Sequence, residues 1–323
     1  MKKELKNIFI TGAAGFIGSE FSREAYNLES FNNIFLLDSL TYASDLERLS
    51  EIINKPNVHF IEANINDGSS YSSALADCEY AIHFAAESHV DKSINSGHSF
   101  VDTNIVGSYI FLENCRLANN LRTLFVSTDE VYGSIKIGEA DETSKLNPSS
   151  IYSASKTSSD LLALANYVTH SQNVLVTRCC NNYGPYQHKE KFIPTVINNL
   201  LLNKKVPIYG SGENIREWIH VSDHVSALFT LLDLGKAGEV YNIGTGLRVS
   251  NLEIFSILAK DLNFGSDEID FVADRKGHDF RYSISSSKLR KEFGWVPKFN
   301  LDEGLLSTFN WYRNWQLDKG QVY

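Results

Sequence analysis

The sequence predicts an α/β fold: a doubly wound parallel sheet with a smaller α/β lobe packed over the sheet's ligand edge. Three observations predict it. Six short apolar runs recur through the first half, amphipathic stretches separate them, and a glycine-rich turn follows the first run. Strands that alternate with helices in this order pair in parallel and are covered on both faces. With 323 residues and 43% hydrophobic content, the chain can bury the large core this requires.

The first run, "NIFI", spans residues 7–10 and leads into "TGAAGFIGS". Gly12, Gly15 and Gly18 stand at GxxGxxG spacing, with Phe16 and Ile17 opening a helix between them. Glycine lets the backbone turn sharply and approach a pyrophosphate, while the helix N-terminus offers N–H groups and a positive dipole end. The second run, "NIFLLD", ends on Asp38, 20 residues after Gly18. A carboxylate there accepts hydrogen bonds from the adenosine ribose and repels a 2′-phosphate. No Arg follows directly, so the cofactor expected of this Rossmann-type turn is NAD rather than NADP. "VHFIEA", "YAIHFAA", "TLFVST" and "VLVTRC" supply further strands, and "SFVDTNIVGSYIFLENCRLA" has helical spacing.

Beyond about residue 175 the pattern loosens, with turn signals at "NNYGPYQ", "YGSGEN", "NIGTG" and "DRKGHD". The expected organisation is a dinucleotide-binding domain over 1–175 and a substrate lobe over 176–323. The chain is expected to return to the first domain around 218–236. No repeat, low-complexity tract or flexible linker separates the two.

Composition excludes several classes. A net charge of −9 and the lack of Lys/Arg-rich runs argue against a nucleic-acid partner. The apolar run near the N-terminus is too short for a signal peptide, and no stretch approaches the ~20 apolar residues of a membrane span. Cys78, Cys115, Cys179 and Cys180 form no CxxC pair, which argues against a zinc site or a disulfide framework. A reducing, cytoplasmic setting without membrane attachment is expected. His83 reads as a packing residue, and His89 has no second His or Cys at ligand spacing, so no metal is expected.

Two further words carry chemistry. In "YSASK", Tyr152 and Lys156 are four apart and share a helix face. An ammonium beside a phenol favours the phenolate, so Tyr152 is a candidate base. In "VSTDEVYG", Thr128 precedes two adjacent acids, Asp129 and Glu130. As neighbouring anions in a closed site they repel, which raises one pKa. Consecutive residues of a strand face opposite ways, so both acids reach one ligand only if the strand has already ended.

Together the glycine turn, "STDEVYG" and "PSSIYSASK" resemble the extended short-chain dehydrogenase/reductase family, and within it the nucleotide-sugar 4,6-dehydratases. The words "LDSLTYA", "HFAAESHVDKSI", "NNYGPYQ", "EKFIP", "PIYGSGENIREWIHVSDH" and "DRKGHDFRY" extend the resemblance over almost the whole chain. The resemblance implies that Tyr152 removes the proton of the sugar 4-hydroxyl as hydride leaves C4 for NAD. It implies that Thr128 bonds that hydroxyl and that Lys156 holds the nicotinamide ribose. Glu130 then resembles the base at C5 and Asp129 the acid at the 6-hydroxyl, and hydride returns to C6. Ala85 and Ala86 are implied along the cofactor and Ser88 near the sugar. Asn182, Glu190, Lys191, Tyr209, Arg216, Asn251 and His278 are implied to line the nucleotide-diphosphate site.

The implied substrate is dTDP-glucose. Another GDP-, UDP- or CDP-linked glucose or N-acetylglucosamine is the alternative, and a 4-epimerase or decarboxylase of the same fold is a further one. Epimerases need no acid pair, and the related decarboxylases carry Ser at the Asp129 position, so Asp129 is the discriminating residue. Departures from the pattern are His188-Lys189, His220 and Lys276, all expected at the substrate end, and Asn64 where an Asp often meets the adenine. The resemblance also implies a homodimer, with "TNIVGSYIFLENC" and "SSDLLALANYV" as the candidate pairing helices.

Overall fold

The computed structural model describes residues 6–118, 121–260, 265–275 and 277–318, so Lys276 lies outside the described residues. The six apolar runs are strands β1 (Lys6–Thr11), β2 (Phe31–Asp38), β3 (Val58–Glu62), β4 (Tyr80–His83), β5 (Arg122–Thr128) and β6 (Val174–Cys179). The chain then makes β7 (Asn181–Tyr183), β8 (Val206–Tyr209) and β9 (Ile215–His220). It returns with β10 (Val240–Ile243), and β11 (Arg248–Ser250) and β12 (Ile269–Val272) follow. Seven strands pair in parallel in the order β10-β6-β5-β4-β1-β2-β3. The order reverses beside β1, which opens a crevice at the carboxyl ends of β1 and β4, the position where such sheets take ligands.

Helices α1 (Phe16–Asn27), α2 (Ser72–Ala76), α3 (Val90–Asn95), α4 (His98–Phe100) and α5 (Ser108–Leu117) fall in the first half, with α6 (Ile151–His170) closing it. Helices α7 (Phe192–Leu201), α8 (Val221–Leu234), α9 (Asn251–Ala259), α10 (Ser287–Phe293) and α11 (Leu301–Asp318) follow. The "SFVDTNIVGSYIFLENCRLA" word is helical up to Leu117, but Val101–Gly107 between α4 and α5 is wound as a π-helix. Among the described residues no helix is long and apolar enough to cross a membrane.

Packing follows the apolar pattern. Ile8, Ile10, Ile34, Leu36, Ile82 and Leu124 are fully or almost fully buried in the main core. Phe21 of α1 stacks on Phe229 of α8 with ring centroids 4.2 Å apart, so α8 covers the same sheet face as α1. This is how the second half rejoins the first. The other lobe has its own core, in which Ile193, Ile197, Phe255 and Leu305 bring α7, α9 and α11 together. Its sheets are small: β11-β9-β7 and the parallel pair β12-β8.

The expectation that His220 lies at the substrate end needs correction. His220 is the N-cap of α8, where Nδ1 accepts the Ser222 N–H at 3.3 Å, and its ring stacks on Phe299 at 4.1 Å. It is buried between β9 and α8 and lines neither of the two cavities described below. Its word matched a pattern, but helix capping decides where the side chain goes.

The turn after β1 allows no added atom where α1 begins. A Cβ on Gly18 would stand 2.1 Å from the Gly12 carbonyl oxygen. Gly18→Ala therefore pushes α1 off β1 and is expected to cost about 2 kcal/mol or more. A lowered midpoint of urea unfolding at unchanged slope checks it.

Candidate active site

Two adjoining cavities open at the carboxyl ends of the strands. The first, about 520 Å³, lies across the switch point, lined by Gly12, Gly15, Phe16, Ile17, Gly18 and Asp38. Ala85, Ala86 and Ser88 line it after β4, and Thr128, Glu130, Tyr152 and Lys156 close its inner end. Gly12 has φ +65°, and a Cβ there would meet the Ala85 backbone nitrogen at 2.7 Å, so only glycine fits. Asp38 Oδ2 accepts the Ala14 N–H at 2.9 Å, while Oδ1 accepts the Leu40 N–H at 2.9 Å and the Ser44 hydroxyl at 2.6 Å. The carboxylate is thus fixed at the end of β2 and still lines the cavity. Arg48, ten residues on, donates to the Ala14 and Ala43 carbonyls instead of entering it. A glycine cradle ending on a fixed carboxylate, with the nearby Arg48 guanidinium kept out of the cavity, fits a dinucleotide without a 2′-phosphate. Asn64 also lines this cavity, and its Oδ1 accepts the Asn66 N–H at 2.9 Å, shaping its own turn.

Strand β5 ends at Thr128. The Thr128 side chain accepts the Glu130 N–H at 3.3 Å, capping a 3-10 turn over Asp129–Tyr132. The two acids therefore leave a turn, and the alternation of a strand does not apply to them. They also do not share one exposure. Glu130 lines both cavities, whereas Asp129 is buried and lines neither, with Oδ2 lacking a hydrogen-bond partner. Their electrostatics differ in step. The Asp129 carboxyl is pushed well above its usual range by burial, then by Glu130 and Glu217. Burial raises Glu130 too, but Lys191 and Arg216 pull it back toward ionisation. Burial and like-charged neighbours thus favour the protonated form more strongly at Asp129 than at Glu130.

Tyr152 and Lys156 share the buried face of α6, whose N-terminus is held by Ser150 and Ser153 in reciprocal caps. Their relation differs from the expected one. Lys156 Nζ donates to the Val126 carbonyl at 2.8 Å. The Tyr152 phenol is pushed well up by burial, then by Glu130 and Cys179, and the Thr128 side-chain hydrogen bond pulls the other way. Lys156 is bonded to the strand and is not among the main influences on the phenol.

The second cavity, about 460 Å³, meets the first at Glu130, Asn182, Lys191, His89, Asn181 and Gln187. Lys191 Nζ donates to the Ser88 carbonyl at 2.8 Å across the junction. Tyr209, Arg216, Asn251 and His278 line the outer part. The Arg216 guanidinium is aimed by the Ile215 and Asp279 carbonyls, each at 2.8 Å, and lies 4.3 Å from the Tyr282 ring centroid. Glu190 sits at the rim with its Oε2 3.4 Å from His89, 3.7 Å from His188 and 3.8 Å from Lys92. Sequence reasoning missed Arg275, which pairs with Asp91 at 2.8 Å and lies over the Tyr209 ring at 4.3 Å. It also missed Tyr282 and Gln187 as lining residues. The signal for Arg275 was the word "DRKGHDFRY" itself, in which His278 is the residue implied at the nucleotide site and Lys276 the departure from the pattern.

Asp129→Asn gives the first test of this electrostatics. A carboxyl whose folded pKa is raised keeps its proton while the unfolded chain loses it, so stability falls as pH rises above the unfolded value near 3.9. Asn cannot ionise and escapes that loss. The variant is expected to melt a few degrees above the parent at pH 7–8, with the difference vanishing near pH 4, as thermal melts across that range will report.

The family model described as "GDP-mannose 4,6 dehydratase" matches residues 9–308. The dTDP-glucose 4,6-dehydratase of Streptomyces niveus is 44% identical over 311 residues, covering 95% of this chain and 93% of that protein. The solved dTDP-glucose 4,6-dehydratase of Streptomyces venezuelae, with NAD bound, superposes with a TM-score of 0.93 at 43% identity, over 96% of this chain and 98% of that one. That of Bacillus anthracis, also with NAD, gives 0.90 at 40% identity, over 97% and 98%. A match that runs from β1 into α11, through every strand and helix that lines the two cavities, means that the chain belongs to the GDP-mannose 4,6 dehydratase family.

Proposed function

We propose that this protein is an NAD-dependent nucleotide-sugar 4,6-dehydratase, a hydro-lyase, and that its substrate is dTDP-glucose. The observation that carries the reading is the acid pair: Glu130 at the junction of the two cavities and Asp129 buried behind it, with Asp129 the more strongly protonated. An enzyme that only moves hydride has no use for two carboxyls in opposite states. One that removes water needs a base and an acid together.

The dinucleotide occupies the first cavity, held by the Gly12, Gly15 and Gly18 turn and by Asp38 at its ribose. The nucleoside diphosphate occupies the second, with Arg216 and Arg275 at its phosphates, because guanidinium binds phosphate oxygens bidentately. The hexose then lies at the junction, beside Glu130. Bound NAD supplies a hydride acceptor that takes the hydrogen from C4 and gives it back at C6. Tyr152 takes the proton of the 4-hydroxyl, Thr128 orients that hydroxyl, and Lys156 holds the nicotinamide ribose. With a ketone at C4 the C5 proton becomes acidic and passes to Glu130. The C6–O bond breaks, and the Asp129 proton completes the leaving water. Asp129 Oδ2 has no hydrogen-bond partner in the fold, and although its carboxyl lines neither cavity we assign the 6-hydroxyl as the group it serves. A proton then returns to C5, leaving a 4-keto-6-deoxy sugar.

Tyr109, Leu117, Leu161 and Val168 leave apolar surface exposed on α5 and α6. We assign this face to a second copy of the chain, giving a homodimer. Four free cysteines suit a cytoplasmic setting.

Incubation with dTDP-, UDP-, GDP- and CDP-hexoses, read by mass spectrometry, is expected to give loss of one water from dTDP-glucose, with solvent deuterium at C5 and no net NADH. Absence of a dehydrated product from every substrate refutes the reading. Asp129→Asn is expected to slow elimination at least tenfold more than C4 oxidation, within the range of general-acid effects. Light scattering checks the dimer, and a monomer at micromolar concentration would refute that assignment.

A further inference from the structure

The two halves of the proposed chemistry sit on different elements. Tyr152 and Lys156 belong to α6, and Asp129 and Glu130 belong to the turn after β5. One buried side chain touches both. Arg178 of β6 donates from Nε to Asp160 Oδ2 at 2.8 Å and from Nη1 to the Tyr132 hydroxyl at 2.8 Å. Asp160 lies one turn beyond Lys156 on α6, and Tyr132 is the last residue of the acid-bearing turn. The Tyr132 hydroxyl in turn donates to Asn242 Oδ1 of β10 at 2.8 Å, and Asn242 is held by the Ala140 carbonyl at 3.1 Å and the Glu142 carboxylate at 2.9 Å. Asp160, Arg178, Tyr132 and Asn242 are all buried. None of the four lines either cavity.

We propose that Arg178 and Tyr132 are positioning residues that hold the Asp129–Glu130 turn in register with the Tyr152–Lys156 helix. A guanidinium fork can satisfy two acceptors at a fixed angle, which an ammonium cannot. The chain Asp160–Arg178–Tyr132–Asn242 therefore links α6, β6, the turn and β10 through directional bonds rather than through apolar packing alone. Loss of the Tyr132 hydroxyl leaves the Asp160–Arg178 pair intact and the aromatic ring in the core. It frees the turn while the helix stays fixed. The elimination half should suffer and the oxidation half should not, because a misplacement of about 1 Å can cost on the order of a hundredfold.

This inference rests on the dehydratase reading, and the experiment separates the two. Parent protein and Tyr132→Phe, each loaded with NAD, are mixed with excess dTDP-glucose in a stopped-flow instrument. Absorbance at 340 nm follows the appearance and decay of reduced cofactor, and quenched samples give loss of water. If the parent forms no dehydrated product, the dehydratase reading fails. With an active parent, Tyr132→Phe is expected to keep the appearance rate and the KM within about twofold and to slow decay by roughly tenfold or more. Unchanged decay, or equal slowing of both phases, overturns the positioning role. Arg178→Lys serves as the second variant, read by the same ratio: it keeps the charge beside Asp160 and gives up the fork, so decay must again slow more than appearance. A variant that only loosens the fold lowers Tm without changing that ratio.

Discussion

The site depends on where β5 stops. A parallel strand that ran two residues further would send Asp129 and Glu130 to opposite faces of the sheet. The Thr128 side chain prevents this by accepting the Glu130 N–H, and the chain tightens into a 3-10 turn. Gly133 ends the turn at φ +69°, where a Cβ would stand 2.1 Å from the Asn147 carbonyl oxygen. A hydroxyl at one end and a missing side chain at the other thus deliver two acids and one aromatic anchor, Tyr132, within four residues. Each of them faces a different environment, and that difference provides the chemistry.

Burial acts on every titratable group at this point, and it does not act equally. It raises Asp129, Glu130 and Tyr152 and lowers Lys156 and Lys191. What separates the two carboxyls is the balance of their charged neighbours. Glu130 has Lys191, Arg216 and Arg275 to favour its anion against Asp279, whereas Asp129 has Glu130 and Glu217 against its anion and only Arg216 among the charges for it. The cations come from the second lobe. Glu130 is therefore tuned by residues that line the second cavity, and Asp129 chiefly by the carboxyls around it. Docking of the lobe over the sheet sets the contrast between the two carboxyls as well as the shape of the cleft.

Much of the fold was legible because parallel strands buried on both faces read as unbroken apolar runs, and all six runs of the first half became β1 to β6. Strand β10 was not singled out as part of the main sheet: four residues, Val240–Ile243, carry too little pattern to be told from a turn. The cofactor end was readable because Gly12 and Asp38 answer to backbone geometry and charge, which leave a signature in spacing. The substrate end was less so. His220 stood in a word that suggested ligand contact, and capping took it away. Arg275 stood in a turn word and was passed over, because nothing in spacing marks which side chain of a turn points inward. The depth of Asp129 was likewise invisible, since it follows from long-range packing around the turn, α6 included, and not from its own neighbours in sequence.

Those long-range contacts also explain why the two lobes hold one site. The segment after Arg275 runs back against the first half: Ile284 pairs with Ala140, and Arg281 donates to the Ile135 and Gly138 carbonyls at 2.8 and 2.9 Å. Asp279 accepts from the Ser149 hydroxyl just ahead of α6 and from the Tyr282 hydroxyl at 2.9 Å. The wall that carries Arg216's carbonyl partners is thus tied to the approach of the helix that carries Tyr152. A shift of that wall would move the cations that favour the Glu130 anion and the entry to α6 together. On the proposed function, a diphosphate at Arg216 and Arg275 would be coupled to the ionisation of Glu130 through these few bonds, because the cations assigned to the phosphates are among those that favour the carboxylate.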